Sequence, residues 1–408
     1  MTSIPSRALP SMLLLAAAAL SCASASAQVS PEGEVGLRHR GVIVNQGQQA
    51  DLLASGLEIA FRLGITARAP GDLIEATLGL RSGDPAAPST PWADFGRFGN
   101  AQPVHLDVAS LSIAPAPLPE LRLVAGQRRT PWSAFSLVWD EDVALPGVWL
   151  DYRPDADPDA LLARLRFNLG AACLFSGDPE PADNVWLLGA ALGLDLDLDG
   201  AALSLDLGAF HLFGNQRLGR AIARGDLKVG ARPAGFTANT TPSDADDPQA
   251  ELTRRLIVDG LASEFDVLTL KAAFTLGQRD DTPLILDLQI ALNLGAAGPG
   301  RDQALGLRAG LQFGRADTPG QGQIRLDGVM IGADATLDAF NPDLLGTNIL
   351  GVGLSSALCA FEGLTLGFES LLSAQLDPDL RGLGDARGEP SPGAPDALQL
   401  LVTTRYVF

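Results

Sequence analysis

The densest set of potential cation ligands in the chain is Asp195, Asp197, Asp199, Gly200 and Asp206. Their spacing is that of positions one, three, five, six and twelve of a calcium-binding loop, where alternate carboxylates and a central glycine wrap a hard cation. The intervening residues argue against it. Leu194, Leu196, Leu198, Leu203, Leu205 and Leu207 alternate straight through the segment, and the same twelve residues cannot be both two strands and a compact cation loop. A hairpin turning at Asp199-Gly200 fits better: it sets Leu196 opposite Leu203 and Asp195 opposite Ser204, and sends Asp195, Asp197 and Asp206 to the polar face. His39, His105 and His211 are scattered, none with a partner at metal-ligand spacing. The sequence therefore implies no metal or other cofactor and points away from an enzyme. A nucleophile and base assembled from distant strands is the lesser alternative.

Composition narrows the field further. The chain of 408 residues carries a formal charge of −19 and no lysine- or arginine-rich run, which excludes nucleic acid as a partner because phosphate counterions must be replaced by a basic face. With 46% hydrophobic and 19% charged residues it is not a disordered acidic tail. Residues 1–27 read as an export signal, with Arg7 at a positive start, an apolar stretch from Met12 to Leu20, and Ala25-Ser26-Ala27 at the cut. A lipoprotein cut before Cys22 is the rival reading. Cleavage after Ala27 leaves one domain, 28–408, whose cysteines Cys173 and Cys359 fall near opposite rims in the topology below and are expected not to be bonded.

Period-two alternation runs through almost all of that domain. Leu57, Ile59, Phe61, Leu63 and Ile65 share one face, and Leu284, Leu286, Leu288, Ile290 and Leu292 another, with polar residues between. Sixteen such segments, with a range of 14 to 18, are expected at 35–44, 57–67, 72–81, 103–113, 119–127, 147–153, 161–171, 185–198, 201–212, 265–276, 283–294, 304–314, 323–333, 349–361, 364–374 and 397–408. Links after even-numbered segments are short, as at Asp199-Gly200 and Phe361-Glu362-Gly363, whereas those after odd-numbered ones are mostly long, up to 213–264. Short turns on one rim and long loops on the other imply an antiparallel transmembrane β-barrel, with periplasmic turns and extracellular loops. Hydrocarbon offers a backbone amide no partner, so the sheet must close on itself. Its leucine faces then look outward to outer-membrane lipid and leave no core inside. A β-sandwich or β-solenoid is the soluble alternative, but no fixed repeat is present.

The last strand places Leu398, Leu400, Val402, Thr404, Tyr406 and Phe408 on one face. A terminal Phe with an aromatic residue two positions earlier resembles the signal by which bacterial barrel-insertion machinery recognises its clients. The stretch Gly126-Gln127-Arg128-Arg129-Thr130-Pro131-Trp132, followed by Trp139-Asp140-Glu141-Asp142 and Pro146-Gly147-Val148, resembles the putative porin family of bacterial outer-membrane β-barrels. Leu187-Leu188-Gly189-Ala190 through Gly208-Ala209-Phe210 is similar too. The chain departs from the family pattern in having two Tyr, which thins the aromatic girdles.

The resemblance implies a porin of the bacterial outer membrane, a passive channel for small hydrophilic solutes or ions, and by analogy a homotrimer. An adhesin or structural anchor on the same barrel is the alternative. In general porins the third long loop narrows the lumen, and here that link is 128–146, with Asp140, Glu141 and Asp142. Facing Arg38, Arg40, Arg62 and Arg81 on the early strands, these carboxylates would form a constriction with a transverse field. The plainer reading leaves the acidic run on the outer surface. Arg164, Arg166, Asp195, Asp197, Asp206, Asp287 and Arg308 are the other residues expected to face the lumen. Total charge inclines weakly towards cations. A helix is expected at Gln249 to Val258 in the longest loop.

Overall fold

Sixteen antiparallel strands close into one barrel in the computed structural model, which describes residues 28–45, 50–84, 88–94, 104–154, 162–175, 184–224, 261, 263–277, 282–337, 340–342, 344–376 and 397–408. The export signal at 1–27 and the expected helix at Gln249 to Val258 lie outside these residues. The strands are β1 Gln28–Asn45, β2 Ala50–Arg68, β3 Ile74–Arg81, β4 His105–Ile113, β5 Leu121–Arg129, β6 Ala144–Tyr152, β7 Leu162–Phe175 and β8 Val185–Asp197. They continue as β9 Ala201–Phe213, β10 Asp266–Leu276, β11 Leu284–Asn293, β12 Leu305–Gly314, β13 Gly322–Ile331, β14 Ile349–Phe361, β15 Leu364–Gln375 and β16 Ala397–Val407. Every segment expected from alternation is a strand. The largest differences are in β1, which starts at Gln28 rather than 35, and β2, which starts at Ala50 rather than 57; the two pair over their whole length.

Each strand pairs with its neighbours in sequence, and β1 pairs with β16 from Glu34 opposite Val407 to Val44 opposite Ala397. That last ladder removes the sheet's edges, so no row of amides is left facing lipid. The short turns have the required chemistry. Asp199 and Gly200 both adopt positive φ, 52° and 95°, the backbone of a two-residue turn that matches strand twist. It sets Leu203 against Leu196 and Ser204 against Asp195. At Phe361-Glu362-Gly363, Gly363 takes φ 76° and a bulge lies between Cys359 and Phe361. Parity is thereby kept: Leu358 and Leu366 are opposite each other and both exposed on the outer face.

Leu63, Leu188, Leu207, Leu288, Leu311, Leu326, Leu354 and Val402 are all exposed, forming the lipid-facing surface. The inner face does not remain a bare polar wall. A buried apolar cluster fills part of the lumen, made of lumen-facing Val185, Leu187, Phe210, Leu212, Val267, Val329 and Ile331 together with residues of the connecting loops. Trp132, Phe135, Leu137, Val138 and Trp139 come from the β5–β6 loop, and Phe340 and Leu345 from the β13–β14 loop. Leu218, Ala221 and Ile222 come from helix α1, Asn215–Arg224. The expectation of no interior core is thus corrected: the loop apolar residues have no lipid to meet and bury against one another. Cys173 and Cys359 are free, one towards the long-loop end of β7 and the other beside the β14–β15 turn.

Candidate functional site

The β5–β6 loop, 130–143, runs inside the barrel and touches the wall in three places. The first contact is apolar. Trp132 is fully buried, with ring centroids 5.7 Å from Trp139 and 5.1 Å from Phe210. It lies against wall positions that carry no side chain. A Cβ at Gly189 would stand 2.5 Å from the Trp132 ring, one at Gly170 would strike Trp149 and Trp132, and one at Gly208 would come 2.9 Å from Phe135. Glycines on the lumenal side of β7, β8 and β9 therefore form a trough in which the loop's aromatic residues rest. Burying such rings contributes on the order of 3–5 kcal/mol each, judged by truncation to alanine.

The second contact is polar. The Leu137 amide donates to Gln289 Oε1 of β11 at 3.2 Å, and Arg308 of β12 donates to Ser136 Oγ at 2.8 Å. Across the barrel is the third. Asp142 Oδ1 lies 2.5 Å from Arg62 Nη2 of β2, and Arg81 of β3 donates to the Asp142 carbonyl at 2.6 Å. Since β3 and β11 are half the ring apart, the loop crosses the lumen. The Asp140 amide donates to the Phe340 carbonyl at 2.7 Å, and Trp139 packs 5.5 Å from Phe340, so the β13–β14 loop backs the crossing.

Two ion-pair networks line the wall. Around the Asp142 contact, Arg62 lies 3.6 Å from both Glu34 and Asp107, Arg129 is 2.9 Å from Asp107, and Arg405 of β16 is 2.8 Å from Glu34. Arg38 pairs with Glu58 at 2.6 Å and stacks under Trp92 at 4.5 Å. Arg81 also bonds His105 at 2.9 Å. On the other side, Arg166 reaches Asp206 at 2.8 Å and Asp195 at 3.3 Å. Arg325 bridges Asp287 at 2.7 Å and Asp327 at 2.6 Å, and Arg308 joins Asp327 at 3.0 Å. Lys271 stands in register beside Asp206 and Gln289. Glycine again makes room: a Cβ at Gly193 would lie 2.5 Å from Asp206 and 2.6 Å from Arg166, and one at Gly310 would strike Arg325. The guanidinium groups can therefore lie flat on the wall.

The acidic run thus has three separate roles. Asp140 is buried and accepts the Asp142 amide at 2.7 Å, Asp142 is latched to the wall, and Glu141 projects, 3.8 Å from Arg405. Arg40 is half-buried beside the same wall, Asp197 is exposed near its turn, and the Arg164 side chain lies outside the described residues. Arg325 and Asp327 alternate with Ile324 and Leu326 and are legible by parity alone, as are Glu58 and Arg405, which alternation puts on the polar faces of β2 and β16; Glu34, Asp107 and the glycine trough were missed. On the outer face Ser55 Oγ is 3.2 Å from His39 Nε2.

Known proteins match in the same sense. A family model described as "Putative porin" matches residues 46–215, from the β1–β2 link to the start of α1 and including the crossing loop. OprB of Pseudomonas putida, in a high-pH structure, superimposes with a TM-score of 0.54 at 12% identity, covering 93% of this chain and 94% of that one. OmpF of Salmonella typhi, in complex with daunomycin, gives 0.53 at 10% identity over 93% and 97%. At such identities the likeness is one of fold. No curated protein matches the chain.

Proposed function

We propose that this chain, a barrel of the putative-porin type in the bacterial outer membrane, is a passive channel for small hydrophilic solutes, with the loop 130–143 setting its narrowest section. The observation that carries the reading is the inner wall from β7 to β13, where Arg166, Asp206, Asp287, Arg308, Arg325 and Asp327 line the lumen as ion pairs while the outer face of the same strands is leucine. Sixteen strands enclose more space than side chains of this size fill, whereas eight would be packed shut. The crossing loop then narrows a lumen that strand number alone leaves wide.

In this reading Asp142 is a fastening rather than one pole of a field across open water, because its charge is met at contact by Arg62. Glu141 and Arg405 are the pair left facing solute at the crossing. Single-channel recording of the purified protein in planar bilayers tests the proposal. Stepwise currents support a channel; a silent, correctly folded barrel favours the anchor. A homotrimer belongs to the same proposal, and native mass measurement of the detergent-extracted protein checks it.

A further inference from the structure

We infer that the lumen sorts solutes by size and hardly at all by the sign of their charge, although the chain as a whole is strongly acidic. This rests on the channel reading above. A permeating ion responds to the charges that line its path, while charges beyond a Debye length are screened, about 10 Å in 0.1 M salt and about 3 Å in 1 M. The two wall networks, taken among the described residues, are balanced. Between β7 and β13, Arg166 answers Asp195 and Asp206, Arg325 answers Asp287 and Asp327, and Arg308 shares Asp327, while Lys271 is set beside Asp206. Four cations thus stand with four carboxylates.

Around the loop fastening, five arginines stand with five carboxylates in the same way. Arg62, Arg129 and Arg405 share Glu34, Asp107, Glu141 and Asp142, Arg81 joins them through Asp107, and Arg38 holds Glu58. Because these networks sum to zero, the whole formal charge of −19 belongs to the rest of the chain. Asp244, Asp246, Asp247 and Glu251 lie outside the described residues, in the sequence between β9 and β10. The missing Cβ atoms at Gly193 and Gly310 strengthen the argument, since they let the guanidinium groups lie against the backbone beside their carboxylates. Charges so closely paired present dipoles, whose field decays faster than that of a net charge. Solutes of either sign, zwitterions and neutral molecules are then the expected passengers.

Reversal potentials of the full chain in a KCl gradient test this. In 1 M salt the K⁺ to Cl⁻ permeability ratio is expected within about threefold of unity, with a modest rise towards K⁺ in 0.1 M as unscreened charge at the mouth contributes. Two variants should move it oppositely. Arg166→Gln leaves Asp195 and Asp206 uncompensated and shifts the ratio towards K⁺; Asp327→Asn leaves Arg308 and Arg325 in excess and shifts it towards Cl⁻. Heat-dependent electrophoretic mobility verifies that each barrel is folded. A wild-type preference above about tenfold that persists in 1 M salt, or variants that do not move the ratio in opposite directions, overturns the inference and leaves the channel intact. Absence of current steps overturns both.

Discussion

The carboxylate of Asp142 meets the guanidinium of Arg62 at 2.5 Å, joining the far end of the chain's third long link, just before β6, to the wall of β2. Both side chains are largely withdrawn from solvent, and Asp107 and Glu34 flank the same guanidinium. The pair fixes one end of a loop whose middle, at Ser136 and Leu137, is held by Arg308 and Gln289 on the far wall.

Asp142→Asn should therefore free the loop at this end. Leaving a buried charge uncompensated costs about 3–5 kcal/mol, and the cost here is smaller because Asp107 and Glu34 still flank Arg62. Conductance is expected to rise and become noisier, read in planar bilayers. Arg62→Gln should add little in the double variant, since both act on one contact. Fully additive effects would refute the fastening.

Trp132→Ala should detach the loop from its glycine trough and cost about 3–5 kcal/mol of loop anchoring. Gly189→Leu attacks the same contact from the wall side, where even a Cβ would stand 2.5 Å from the indole. Both should admit larger solutes into liposomes in swelling assays. Were only the tryptophan variant to do so, the trough would not be what seats the loop.

Leu288→Arg places a charge on the lipid-facing side of β11, where Leu288 is 44% exposed. The expected penalty is about 2–4 kcal/mol if the site lies near the bilayer midplane. Urea titration of the protein in lipid vesicles measures it. The neighbouring Gln289 is buried on the inner side, so its replacement by Asn should act through the loop instead and alter conductance.

Phe408 stacks 5.9 Å from Tyr406 and lies over Gly33, and its amide and carbonyl both bond Gly33 at 2.9 Å. Phe408→Ala is expected to lower the amount of folded barrel reaching the outer membrane severalfold. Folding of the purified variant into detergent should be nearly unchanged. A comparable loss in detergent would assign the ring to closure of the barrel rather than to recognition.

Alternation in the sequence was enough to place all sixteen strands, because a strand between lipid and water must show a different face every other residue. The parity of the turns at Asp199-Gly200 and Phe361-Glu362-Gly363 was legible for the same reason, the turn length being bound to which face each flanking leucine takes. Asp142 and Arg62 could be nominated as opposing charges, but not as a contact. Their separation of 80 residues is bridged by the curvature of the closed sheet, and no local pattern encodes that distance. The apolar residues of 130–143 likewise carry no period that distinguishes an inward loop from an outward one. Strand pairing sets Gly170 opposite Gly189 and brings Gly208 beside them, but only the tertiary structure lays the loop on this trough and takes Trp132 and Phe135 out of water.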